Sequence, residues 1–234
     1  MSDSLGDRMK GYENIPRTYL TRRMPCIIRI DGKAFHTFTR GLAKPWDPVL
    51  AQVMWDTAVN LCMHIEGCQL AYIQSDEISL LLTDYAQHTT EAWFGKSIQK
   101  MTSVSASMAT LYFNRLYQST SGALFDSRVF VLPKEEVCNY FVWRQQDATR
   151  NAIEALGRAH FSSKELHKVN CKQIQEKLFT EKGVNFNDMP TSYKRGTCVV
   201  KEKYLKDGIE RTRWGIDNEI PVFTADRQYI ESRI

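Results

Sequence analysis

Three acidic residues stand where short apolar runs stop. Asp31 follows CIIRI (26–30) directly, and Asp76 and Glu77 lie between LAYI (70–73) and ISLLL (78–82). Apolar runs of this length, bounded by turn signals, read as buried strands. If the first run pairs beside the hairpin made by the other two, the carboxylates meet at one edge of a sheet. Two or three carboxylates with the adjacent Gly32 carbonyl are hard oxygen donors, suited to Mg²⁺. Two such ions about 3.5–4 Å apart would orient a triphosphate and stabilise in-line displacement at phosphorus. Solvated turn acids are the alternative, and spacing alone does not decide between the two.

The segment after Asp31 adds groups that suit phosphate. In IDGKAFHTFTR, Gly32 allows close backbone approach, and successive N–H groups can form an anion-binding nest. Lys33 and His36 supply positive or donor character. Phe35 and Phe38 fit core positions, and one of them or a neighbour could instead stack on a base. Lys44, just ahead of the next helix, is a further phosphate candidate.

The elements that must position these residues follow from the pattern of the chain. Residues 1–24 are polar and basic and read as an arm or short helix. Asp47 is a natural N-cap with Pro48 at the first helical position, and Leu50, Met54, Ala58, Leu61 and Ile65 recur at helical spacing. A second long helix is expected over 92–117, a strand over 128–132, and a third helix from Pro133 to about residue 158. Short helices are expected at 163–169 and 170–180. The tail holds two strand-like runs, GTCVVKEKYL and ERTRWGI, separated by Lys206-Asp207-Gly208, a hairpin signal. This order fits an α+β fold: a ferredoxin-like, largely antiparallel four-stranded sheet with two helices on one face. The expected division is a palm-like catalytic part over 1–158, with a C-terminal extension of small helices and a β-hairpin over 159–234 packed on it as one compact unit.

Composition bounds the class. The 234 residues are 43% hydrophobic and 25% charged, with a net charge of +4, which excludes a disordered, collagenous or coiled-coil chain. The mild basic excess permits a polyanionic partner without requiring one. No run approaches the roughly 20 apolar residues of a membrane span. The first residues lack an apolar signal region, and the six cysteines have no zinc-binding spacing. Reduced thiols in a cytoplasmic protein are the expectation.

Taken together, RIDGKAFHTF, LAKPWD, AYIQSDEISLLL, FDSRVFVLP and WRQQDATRNAI resemble the tRNA(His) guanylyltransferase family, whose members are 3′–5′ nucleotide polymerases. The matches come in family order from residue 26 to about 155. D-G-x-x-F-x-x-F with Q-S-D-E about 45 residues later is a specific combination, and GTCVVKEKY matches more loosely. The resemblance implies a polymerase-palm or nucleotide-cyclase-like sheet and a site for two Mg²⁺ made by Asp31, the Gly32 carbonyl and Asp76, with Glu77 in support. It implies that Asp31, Gly32, Lys33, Ala34, Phe35 and His36, with Ser75, hold the triphosphate of ATP or GTP. Lys96, Lys100 and Arg128 match positions for a second, activating triphosphate.

The family reaction grows RNA at its 5′ end. A 5′-monophosphate is activated by ATP, or a 5′-triphosphate is used directly, and the 3′-hydroxyl of an incoming NTP attacks the activated phosphorus. The resemblance also implies tRNA as partner and a homotetramer. Enzymes that add G to tRNA(His) carry H-I-N-N after the W-R-Q element. Here the aligned residues are Thr149, Arg150, Asn151 and Ala152, and only Asn151 matches. That departure favours the bacterial and archaeal guanylyltransferase-like branch, which repairs 5′-truncated tRNAs against a template strand. Arg144, Arg150, Asn151, Lys194 and Arg195 are then the candidate tRNA contacts. Dedicated G addition to tRNA(His) remains the alternative. A nucleotidyl cyclase is disfavoured because Gln74-Ser75 replaces its two glycines. A tRNA-binding protein without catalysis is disfavoured by the intact acids.

Overall fold

The computed structural model describes residues 4–118 and 121–234. The expected N-terminal arm is a helix, α1 (Leu5–Asn14), and the first three residues of that arm lie outside the described residues. The remaining order is β1 (Cys26–Gly32), α2 (Phe35–Phe38), α3 (Pro48–His64), β2 (Cys68–Gln74), β3 (Glu77–Leu82), α4 (Ile98–Tyr117), β4 (Phe125–Val131) and α5 (Lys134–His160). Then come α6 (Cys171–Lys182), α7 (Thr191–Arg195), β5 (Thr197–Lys206), β6 (Ile209–Asp217) and α8 (Gln228–Glu231).

The start of α3 follows its sequence signals. Asp47 accepts a hydrogen bond from the Leu50 N–H, and Pro48 opens the helix. The second long helix begins later than its hydrophobic spacing suggests. Phe94, Gly95 and Lys96 all take left-handed, positive φ, so a right-handed helix cannot run through Trp93–Lys96 and α4 starts only at Ile98. Residues 163–169, expected as a short helix, form only turns.

All strand pairings are antiparallel, in the order β4-β1-β3-β2-β5-β6. Four central strands are those expected from the sequence. The C-terminal hairpin adds two more, because Leu70–Ile73 of β2 present an open edge that Thr197–Val200 of β5 takes up. Asp207 and Gly208 both have positive φ, the geometry of a tight two-residue hairpin turn.

Alternation along β1 divides the core. Ile28 and Ile30 face α3 and α4, in a layer with Met54, Leu61, Ile78, Leu80, Met101 and Phe113. Ile27 faces the other way, with Leu70, Tyr72, Leu81, Val137 and Phe141, so α5 covers that second face. The expected pair of helices on one face is therefore α3 and α4, and the third long helix closes the opposite side. This placement brings α5 beside the β2–β3 tip.

Candidate active site

Register places the acids. Asp31 lies directly opposite Glu77 on β3 and Asp126 on β4. Directly paired residues in an antiparallel sheet share a face, so Asp126, Asp31 and Glu77 form a row on the α5 side. Gln74, opposite Glu77 on β2, extends it. Asp76 sits in the two-residue turn between β2 and β3, next to Ser75, whose φ of 49° is a left-handed value.

Among the described residues, neither Asp31 nor Asp76 forms a salt bridge with a Lys or Arg. Burial and the neighbouring Asp31 push the Asp76 carboxyl up to about 6. Burial, then Asp126, raises Asp31, against the pull of Arg128, Arg29 and Arg144. Two carboxylates so placed, without a basic partner among the described residues, have the hard-oxygen chemistry that suits a cation.

Glu77 is in a different position. Its two oxygens accept a forked pair of hydrogen bonds from Arg144 Nε and Nη2, each 2.8 Å. Gln74 Nε2 and Ser79 Oγ also reach Glu77 Oε1, at 3.3 and 3.4 Å. Its charge is thus compensated within the protein, while those of Asp31 and Asp76 are not.

The turn after β1 leaves a run of backbone N–H groups without acceptors among the described residues. Ala34 takes a left-handed conformation and α2 follows at once. Among the described residues, the N–H groups of Ala34, Phe35 and His36 have no hydrogen-bond acceptor, so they are available to an anion. Gly32 is required by the ring of Phe35. A Cβ at position 32 would stand 2.2 Å from Phe35 Cδ2. Phe35 is buried in an aromatic cluster, with ring centroids 5.1 Å from Phe38, 5.5 Å from Phe113 and 5.2 Å from Phe125. The choice left open for this ring is settled in favour of the core. Lys33 and His36 stay exposed beside this turn.

A cleft of about 460 Å³ opens in front of the acids. Asp31, Gln74, Ser75, Asp76 and Glu77 form its floor, and Lys44, with Trp46, stands on one wall. Arg144, Asp147 and Asn151 of α5 line the other. The Trp46 ring lies 6.1 Å from Tyr193 and 6.4 Å from Trp55, an aromatic wall absent from the sequence-level reading. Trp46 and Trp55 lie at and within the start of α3, but Tyr193 is far along the chain in α7, so no local spacing signals the wall. Asp126 and Asp147 were also missed. Asp147 was visible as Arg144 plus three, the spacing of one helix face.

Several expected phosphate contacts are placed differently. Lys96 is buried at the opposite end of the sheet. Its ammonium lies 3.2 Å from Asp84 and donates to the carbonyls of Thr21 and Met24. Those residues lead into the start of β1, about 17 Å of strand away from Asp31. Lys100 occupies the first turn of α4 at that same end, with its ammonium over the Phe94 ring. Because α4 runs back toward the site, its N-terminal cations are remote from the acids. Arg128 is on the acid-bearing face but pairs with Asp126 at 3.1 Å.

Arg144 is 6% exposed and spent on Glu77 and Asp147, so it is withdrawn from RNA phosphates. Arg150 is exposed and pairs with Asp147, and Asn151 donates to Asp147 at 3.3 Å. Lys194 donates to the Asn187 carbonyl at 2.6 Å. Arg195 closes α7, beside the cleft residues Tyr193 and Gly196.

Lys96 provides a direct check on this placement. Among the described residues, Lys96→Met leaves buried Asp84 with Arg22 at 3.7 Å and the Arg23 N–H as partners. The expected loss is about 2–3 kcal/mol in denaturant unfolding. Nucleotide affinity of the folded variant should stay within twofold of the parent.

Comparison with known proteins agrees with this architecture. The chain matches the sequence model of the tRNAHis guanylyltransferase (Thg1) family over residues 6–133, more than half its length. It is similar to a bacterial tRNA(His) guanylyltransferase (Thg1)-like protein solved in complex with ATP, at 49% identity and a TM-score of 0.92 over 99% of both chains. The structure of such a bacterial protein in complex with GTP matches at 48% identity and 0.89 over 98% of both. The tRNA(His) guanylyltransferase of Debaryomyces hansenii is 29% identical over 89% of this chain and 84% of its own. The protein is a nucleotidyltransferase. It belongs to the tRNA(His) guanylyltransferase family.

Proposed function

We propose that this protein extends the 5′ ends of truncated tRNAs in the 3′–5′ direction, with the opposing strand selecting each nucleotide. The observation that carries the reading is the pair Asp31 and Asp76, facing one cleft without a basic partner beside a cradle of available N–H groups. Thr149-Arg150-Asn151-Ala152 in place of H-I-N-N favours repair over dedicated G addition.

The residues fit Mg²⁺. Among the described residues, no three His, Cys, Asp or Glu side chains form a complete metal cage. Mg²⁺ usually takes one or two carboxylates and completes its shell with water and substrate phosphates. Asp31, the Gly32 carbonyl and Asp76 would hold two ions in that manner. When bound, Mg²⁺ favours the ionised 3′-hydroxyl and stabilises charge on the leaving group.

The chain's own residues bind and orient. The Ala34–His36 N–H groups, with Lys33 and Ser75, hold the triphosphate of ATP or GTP, and Lys44 neutralises charge at the rim. Arg128 exchanges Asp126 for an activating triphosphate. A 5′-monophosphate RNA takes an adenylyl group from ATP and releases pyrophosphate. The 3′-hydroxyl of the incoming NTP then forms the new P–O bond and AMP departs. Specificity resides in pairing with the template, and the protein reads tRNA shape and phosphates through Arg150, Asn151, Lys194 and Arg195. The working form is a cytoplasmic homotetramer. Among the described residues, no helix is long and apolar enough to cross a membrane.

The test is a tRNA lacking its first nucleotide, incubated with Mg²⁺ and each NTP in turn. Addition of only the nucleotide complementary to the opposing base is expected. G addition to tRNA(His) whatever the opposing base would establish the dedicated reading instead. No addition with any NTP would reject both and favour a non-catalytic tRNA-binding protein.

A further inference from the structure

We propose that Arg144 is a positioning residue: by clamping Glu77 to α5 it holds the β2–β3 turn so that Asp76 faces Asp31. The inference rests on the reading above that Asp31 and Asp76 hold the metal.

Helix α5 grips β3 at two points. Tyr140 Oη lies 2.8 Å from Ser79 Oγ, and Arg144 forks onto Glu77. Residues four apart on a helix rise about 6 Å, and alternate residues on a strand about 6.8 Å. Tyr140 and Arg144 therefore match the repeat of Ser79 and Glu77, and the two contacts fix β3 in register under the helix.

The clamp is itself braced. Arg144 Nη2 also donates to Asp147 Oδ2 at 3.1 Å, and the guanidinium lies 4.5 Å from the Trp143 ring centre. Asp147 is in turn held by Arg150 and Asn151. Both members of the Arg144–Glu77 pair are largely buried, with side chains 7% and 12% exposed.

The turn needs such an anchor. Ser75 holds a left-handed φ that costs a non-glycine residue about 1 kcal/mol or more. Among the described residues, no side-chain hydrogen bond ties Ser75 or Asp76 to another element. Glu77, one residue from Asp76 and paired with Gln74 across the hairpin, is the nearest position whose side chain is tied to another element, α5. A bidentate guanidinium fixes both distance and plane, whereas an ammonium fixes neither.

Arg144→Lys tests this, because it keeps the charge and removes the fork. Three quantities are read beside the melting temperature: Mg²⁺-dependent binding of a non-hydrolysable ATP analogue by calorimetry, kcat and KM for addition, and tRNA affinity as a function of salt. We expect nucleotide binding to need about tenfold more Mg²⁺ and kcat to fall at least tenfold. KM for tRNA and the salt slope of tRNA binding should be unchanged. Asp147→Asn loosens the brace without removing the clamp and should show the same pattern, about threefold in size. It guards against an Arg144 variant that does not fold.

Weaker tRNA binding, a salt slope reduced by about one and an unchanged Mg²⁺ requirement would make Arg144 a phosphate contact and overturn the proposal. Parent-like values throughout would overturn it too. A parent protein that adds no nucleotide would instead reject the function proposed above. The calorimetric Mg²⁺ dependence would then still decide the role of Arg144.

Discussion

Asp76→Asn is expected to reduce nucleotide addition at least about 10³-fold while making the metal-free protein more resistant to heat. Asp76 is pushed up to about 6 by burial and by Asp31, with no basic partner to offset either. An acid whose folded pKa lies above its unfolded value favours the folded state while protonated. That advantage is lost as pH rises from about 4 through about 6. At pH 7 the ionised Asp76 therefore opposes folding by about 3 kcal/mol, and asparagine removes this opposition. The melting temperature of the metal-free parent should fall between pH 4 and 6.5, and that of Asp76→Asn should change much less over the same range. The catalytic loss would have a separate cause under the proposed function, since an amide is a poorer Mg²⁺ ligand than a carboxylate. A variant that keeps its activity would remove Asp76 from the chemistry. A variant that melts lower than the parent would contradict the electrostatic account.

The second large effect lies one layer below the site. Phe35→Ala should destabilise the protein by about 3–5 kcal/mol, the range for deleting a buried aromatic ring. The ring contacts Phe38, Phe113 and Phe125, and it lies against the α-carbon side of Gly32. Its loss leaves a cavity beneath the turn whose N–H groups are proposed to hold the triphosphate. Denaturant unfolding should show the full cost, with weaker ATP binding as a consequence of the loosened turn. Phe35→Leu, which fills most of the space, should recover much of the stability and most of the binding. If Phe35 instead stacked on a base, Phe35→Ala would weaken nucleotide binding and leave stability within about 0.5 kcal/mol of the parent.

The legible parts of this protein are those set by local signals. Asp31 and Asp76 could be read because each ends an apolar strand, and strand ends meet at sheet edges. The cap at Asp47-Pro48 and the turn at Asp207-Gly208 are likewise local. What could not be read depends on direction and on partners far along the chain. Lys96 and Lys100 look like site cations until the course of α4 is known, because its first turn lies at the far end of the sheet. Lys96 is then consumed by Asp84, a partner that no spacing rule connects to it. Arg144 carries the charge of a phosphate contact, and only the packing of α5 on β3 shows that Glu77 has claimed it. The Trp46 wall joins the start of α3 to Tyr193 of α7, a pairing with no periodic signature. The C-terminal hairpin was recognised, but its place on the β2 edge depends on tertiary pairing.

The direction of growth is the central claim, and the fate of the γ-phosphate tests it most directly. In 3′–5′ addition the incoming nucleotide contributes its 3′-hydroxyl and keeps its own triphosphate. A 5′-truncated tRNA incubated with Mg²⁺, unlabelled ATP as activator and γ-labelled GTP opposite a template C should therefore become labelled. Removal of 5′ phosphates should release that label. If the RNA lengthens by one nucleotide while the label leaves as pyrophosphate, growth is in the ordinary direction and the account of this site is wrong.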